Sequence, residues 1–191
     1  MTMLHGLSAF DRVPFQNQSE RGLGLDDVLE RVARFVSDAP ADDYDFIVGT
    51  DSQVHRGHTK FATGVVVHRI GKGVWACYRQ FAVPRELTTI REKLMLETVL
   101  SQRVAARFDP EALRELLRQP VAGAKRCPTL QAYIDIDAGT VTHVNKTSPY
   151  VQEMADRVVE TGRYAPRVKP FAYAASSYAN RYTKKPISTI S

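Results

Sequence analysis

The chain is short of cysteine, carries a single tryptophan and has no long apolar run. Its two cysteines, Cys77 and Cys127, lie far apart. They supply neither a disulfide framework nor a zinc ligand set, and read as inert thiols of a reducing compartment. No stretch approaches the ~18 apolar residues of a membrane span. The first residues lack a basic start, and His5, Gly6 and Asp11 interrupt them, so no secretory signal is expected. A cytoplasmic protein without membrane contact is the expectation. No Walker or dinucleotide-binding glycine pattern occurs, and Ser176-Ser177 sits in no G-x-S-x-G elbow.

Acidic side chains are missing after Glu160. That stretch carries Arg163, Arg167, Lys169, Arg181, Lys184 and Lys185, interleaved with Tyr164, Phe171, Tyr173, Tyr178 and Tyr182. Two readings stay open. The mixture can follow a phosphate backbone and stack bases, or its aromatics can pack into a core beneath a solvated basic face. The net charge of +5 permits a polyanionic partner without requiring one.

The 191 residues, 43% of them hydrophobic, suit one domain. Residues 1–23 are polar and poorly patterned, an arm or irregular lead-in. The domain is expected over 24–185, with 186–191 as a tail. LDDVLERVARFVSDA has helical apolar spacing, with acids first and arginines later. YDFIVGTDSQ, TKFATGVVVHRI and VWACYRQFAV read as strands. Gly71-Lys72-Gly73 is a turn between the last two, which predicts an antiparallel meander. A long helix is expected from Leu87 to Phe108, and a second from Pro110. LQAYIDID is a fourth strand, SPYVQEMADRVVETG a helix, YAPRVKPF an edge strand and SSYANRY a last helix. The order predicts an α/β fold: a mixed sheet, antiparallel in its first three strands and parallel in its αβ units, flanked by helices.

Within that frame four acids stand out. Asp51 sits where the apolar part of the first strand runs out, a place for either a turn residue or a functional one. Asp135 and Asp137 alternate with Ile134 and Ile136, so both point to one face of the fourth strand. On the long helix, Glu97 lies about 20° from the direction of Ile90, within an apolar stripe; Glu92 falls roughly opposite. An acid in such a stripe either reaches out to a cation or meets the acids of the strands. Converging carboxylates are the ligand chemistry of hard divalent ions, which serve phosphodiester cleavage. His55 and His58 flank a loop just after Asp51 and can touch phosphate or stay solvent-exposed without a role.

FIVGTDSQVH, the hairpin TKFATGVVVHRIGKGVWACY, the helix REKLMLET, the strand YIDID and the ending VKPFAYAASSYANRYTK resemble the YkuK-type ribonuclease-H-like family over roughly residues 25–185. The resemblance implies a ribonuclease-H-like fold and a two-metal nuclease site. On it, Asp51 stands for the first-strand aspartate, Asp135 for the fourth-strand aspartate with Asp137 close behind, and Glu97 for the helix acid, with Glu92 in the same motif. Asp51, Glu97 and Asp135 are the expected catalytic acids. Together with Asp137 and Asn180 they are the expected ligands of Mg²⁺ or Mn²⁺. Asn180 stands where such nucleases commonly carry a further acid, which weakens the metal set. Lys169, Arg181, Lys184 and Lys185 are the expected contacts to nucleic acid, RNA or an RNA–DNA hybrid first. The alternative is an inactive module that binds nucleic acid or a protein.

Overall fold

The computed structural model describes residues 8–118, 127–140 and 146–183. Its elements are α1 (Leu25–Ser37), β1 (Tyr44–His55), β2 (His58–Arg69), β3 (Gly73–Val83), α2 (Ile90–Ala105), α3 (Pro110–Leu117), β4 (Leu130–Gly139), α4 (Val151–Val159), β5 (Ala165–Lys169), a π-helical turn over Ala174–Ala179, and α5 (Asn180–Thr183). One five-stranded sheet has the order β3-β2-β1-β4-β5. β1, β2 and β3 are antiparallel neighbours, while β4 and β5 run parallel to β1. This is the predicted mixed sheet, with β5 at its edge.

Alternation along the strands builds two layers. Phe46 and Val48 of β1, Phe61 and Val65 of β2 and Ile134 of β4 pack with Leu94, Leu100, Val104 and Phe108 from the α2 side. Ile47, Val66, Tyr133 and Tyr178 pack on the opposite face with Ala174. Ala62, Tyr78 and Tyr182 extend that second layer. Gly64 is a close-approach position, since a Cβ there would stand 3.1 Å from the Tyr178 ring. The aromatics of the basic C-terminal stretch are therefore largely packing residues. Tyr164 and Tyr182 are buried, whereas Phe171 is 70% exposed.

Three boundaries differ from the sequence expectation, each for a local reason. α2 starts at Ile90 because the Thr89 side chain accepts from the Glu92 N–H and caps it. Leu87 is left to plug the core, its N–H donating to Thr59 Oγ1. β1 runs two residues past the expected strand end at Gln53, because Val54 and His55 remain paired with β2. A two-residue turn, Arg56-Gly57 with Gly57 at φ +81°, closes the hairpin there. Residues 8–12 are helical and 13–23 largely irregular, and the whole segment is fixed to the domain. Phe10 and Phe15 are fully buried, and Gln16 exchanges two backbone hydrogen bonds with Tyr78 of β3. Arg79 of β3 stacks on both phenyl rings, at 3.7 and 4.7 Å.

Candidate active site

The β1–β4 pairing sets the level of every candidate acid. Its last pair is Gly49↔Asp135. Two residues further on, Asp51 and Asp137 stand at the same height, where β4 no longer pairs with β1 and the sheet opens. Asp51 itself stays in the β1–β2 ladder, opposite Ala62. It is nearly buried, and Thr183 Oγ1 of α5 donates to its Oδ2 at 3.0 Å.

Glu97 comes to this opening from α2. Ser101, one turn along the helix, donates to Thr50 Oγ1 at 2.8 Å and pins the helix to β1. Ser52 Oγ then donates to Glu97 Oε1 at 2.5 Å. Glu97 is 6% exposed. Glu92, by contrast, pairs with Arg85 at the surface, as its opposite helical phase requires.

The three acids act on one another. Burial, and next the charge of Asp137, push the Asp51 carboxyl up to about 6, against the pull of the Thr183 hydroxyl and Lys93. Burial raises Glu97 to about 8 despite the Ser52 hydrogen bond, with Asp51 and Asp137 adding repulsion. Lys93, one turn before Glu97, is the cation that offsets both. Asp137 Oδ1 pairs with the Lys169 ammonium at 3.0 Å. Among the described residues no three carboxylate, imidazole or thiol groups stand close enough together to hold one ion as they are.

Asp135 has a different setting. Arg167, its neighbour across β4 and β5, donates to both of its oxygens at 2.7 and 3.2 Å. The Ala174 N–H donates to Oδ2 at 2.6 Å. The guanidinium stacks between Tyr133 and Tyr173, 4.8 and 4.4 Å from their centroids. Asp135 thus ties β4 to β5 and to the π-helical turn.

The remaining candidates are scattered. Asn180 opens α5, and its carbonyl lies 2.9 Å from the Thr183 hydroxyl that reaches Asp51. Lys169 meets Asp137, and Arg181 is exposed. Lys184 and Lys185 lie outside the described residues. Ser52, Lys93, Arg167 and Thr183 were not singled out from sequence. Helical spacing from Glu97 points to Lys93, but nothing local points to Thr183, which is 132 residues from Asp51.

The chain belongs to the Ribonuclease H-like family, whose match covers residues 27–184. It is 39% identical over 176 residues to YkuK of Bacillus subtilis (strain 168), named as an uncharacterized protein; the match covers 91% of this chain and 99% of that protein. No solved structure matches it. No helix among the described residues is long and apolar enough to cross a membrane.

The raised acids make a stability prediction. The folded state holds the Glu97 proton more tightly than the unfolded chain does. Its favourable contribution is complete below the ordinary value of 4.5 and is lost as pH rises through about 8. In chelator, the parent's urea midpoint should fall between pH 5 and pH 8. Glu97→Gln should flatten that fall and stabilise the protein by up to about 4 kcal/mol at pH 8. An unchanged or steeper pH dependence in the variant contradicts the burial argument.

Proposed function

We propose that this protein is a metal-dependent nuclease that hydrolyses phosphodiester bonds of nucleic acid, RNA or an RNA–DNA hybrid first among them. The observation that carries the reading is the electrostatic coupling of Asp51, Glu97 and Asp137 at the opening between β1 and β4. Two buried carboxylates and the half-buried Asp137, which repel one another, suit a hard divalent cation. Asp51, Glu97 and Asp137 would hold Mg²⁺ or Mn²⁺, with Asp137 in the role first expected of Asp135. Asn180 remains a proposed neutral ligand. Bound there, such ions supply an activated water and stabilise the leaving oxygen.

The rest falls to the chain's own groups. Thr183 and Ser52 fix the carboxylates of Asp51 and Glu97 through hydrogen bonds. Asp135, through Arg167, fixes the strand that carries Asp137. Lys169, 43% exposed, is positioned to exchange its contact with Asp137 for a phosphate oxygen of the substrate. Arg181, Lys184 and Lys185 are the proposed backbone contacts further out.

The test is cleavage of labelled RNA, DNA and hybrid duplexes with Mg²⁺ and Mn²⁺ by the parent and by Asp51→Asn. Metal-dependent cleavage by the parent, lost in the variant, is the expected result. Oligonucleotide binding with no cleavage by either protein would replace the nuclease with a binding module.

A further inference from the structure

Lys60 is a lysine that is 3% exposed, yet among the described residues no carboxylate or carbonyl meets its ammonium. Burial lowers its proton affinity, and no neighbouring charge offsets that. Its stem is buried, while its ammonium is not one of the buried atoms that lack a partner, so the charged tip is open to an anion that arrives from outside.

Its neighbours add to this. Lys60 stands directly opposite Gln53 in the β1–β2 ladder, and His58 opposite His55. Alternation puts Gln53 and His55 on the same strand face as Asp51. Gln53 Oε1 and His55 Nε2 are both buried atoms without a hydrogen-bond partner. The amide of Gln53 can turn either its oxygen or its NH₂ to that point. The His55 ring is steadied by stacking on His58, with centroids 5.0 Å apart and planes 13° apart. Unpaired buried polar atoms are rare in folded proteins, and here two lie on the strand paired with that of Lys60. Gln53 and His55 keep partial exposure, so the hairpin side is the way in.

We propose that Lys60, Gln53 and His55 form a subsite for a phosphate of the substrate strand, next to the phosphate that is cut at Asp51. Gln53 lies two residues from Asp51, about 7 Å along β1, a step comparable with that between neighbouring phosphates of a nucleic acid strand. The identity of the ligand rests on the nuclease reading. The hairpin is thereby a ruler that holds the strand in register with the acids. Lys60 donates to a phosphate oxygen, and the neutral groups beside it complete the cradle.

The test is fluorescence anisotropy of labelled single-stranded RNA and RNA–DNA hybrid in chelator, over a salt series, with the full chain and Lys60→Met. The variant should unfold at about the same urea concentration as the parent, since Met keeps the buried stem. Its affinity should drop about tenfold, the scale of one charge-assisted hydrogen bond. The salt slope should fall by about one. His55→Ala, at a partly exposed position, should weaken binding too and serves if Lys60→Met does not fold. Parent-like affinity and salt slope in a folded Lys60→Met, or in His55→Ala where that variant stands in, overturns the subsite. A parent that binds neither oligonucleotide overturns it as well. So does a parent whose melting point rises with inorganic phosphate but not with oligonucleotide. A parent that cleaves, beside a Lys60→Met that binds and cleaves equally well, removes the subsite and spares the nuclease. Binding that depends on Lys60 without any cleavage does the reverse.

Discussion

Asp135→Ala is expected to destabilise the protein by about 3–5 kcal/mol, the cost of stranding a buried charge. The Arg167 side chain is 12% exposed and would lose both hydrogen bonds to Asp135. Its other acidic contact, Asp45, is 3.7 Å away and cannot replace a paired fork. The Ala174 N–H would lose its acceptor as well. β5 and the π-helical turn would loosen together, because Asp135 is their shared anchor. Urea denaturation of parent and variant measures this. A shift of less than about 1 kcal/mol, the scale of an exposed ion pair, would mean that Asp135 does not hold these elements together.

Asp137→Asn should have the opposite profile. The variant should lose at least about a hundredfold in cleavage rate, in line with the loss of a charge around a metal site. It should also stay close to the parent's stability, since the ion pair of Asp137 with the half-exposed Lys169 is worth little and its charge repels Asp51 and Glu97. Rates on the best substrate at saturating Mn²⁺, read beside urea midpoints, separate the two aspartates. Cleavage retained in Asp137→Asn and lost in a folded Asp135→Asn would return the metal-binding role to Asp135.

These two residues also mark where the sequence stops being informative. Strand alternation puts Asp135 and Asp137 on one face and cannot rank them. The ranking needs the register with β1, which makes Gly49 the partner of Asp135 and levels Asp137 with Asp51. It also needs Arg167, which is distant in sequence and reaches Asp135 only because β5 docks beside β4. Glu97 was easier to see, because helical phase is a local property and its stripe is apolar. The hairpins were legible for the same reason, from β-branched runs and turn glycines. The N-terminal segment was not, since Phe10 and Phe15 are single anchors and make no periodic stripe. Thr183 sits in a basic, aromatic ending whose composition suited a phosphate-binding surface equally well. The packing of Tyr182 and Tyr178 on Tyr78 turns that ending back onto the sheet and brings Thr183 to Asp51.

The most direct test of the central claim, that Asp51, Glu97 and Asp137 are a cation-binding acid set, is a calorimetric titration of Mn²⁺ at pH 7 in buffers of different ionisation heat. Glu97, raised to about 8, is mostly protonated at pH 7 and must surrender its proton when a cation binds. The account predicts binding to the parent with a heat that varies with buffer, and neither binding nor buffer dependence in Asp51→Asn. No binding to the parent, or equal binding to a folded Asp51→Asn, contradicts it.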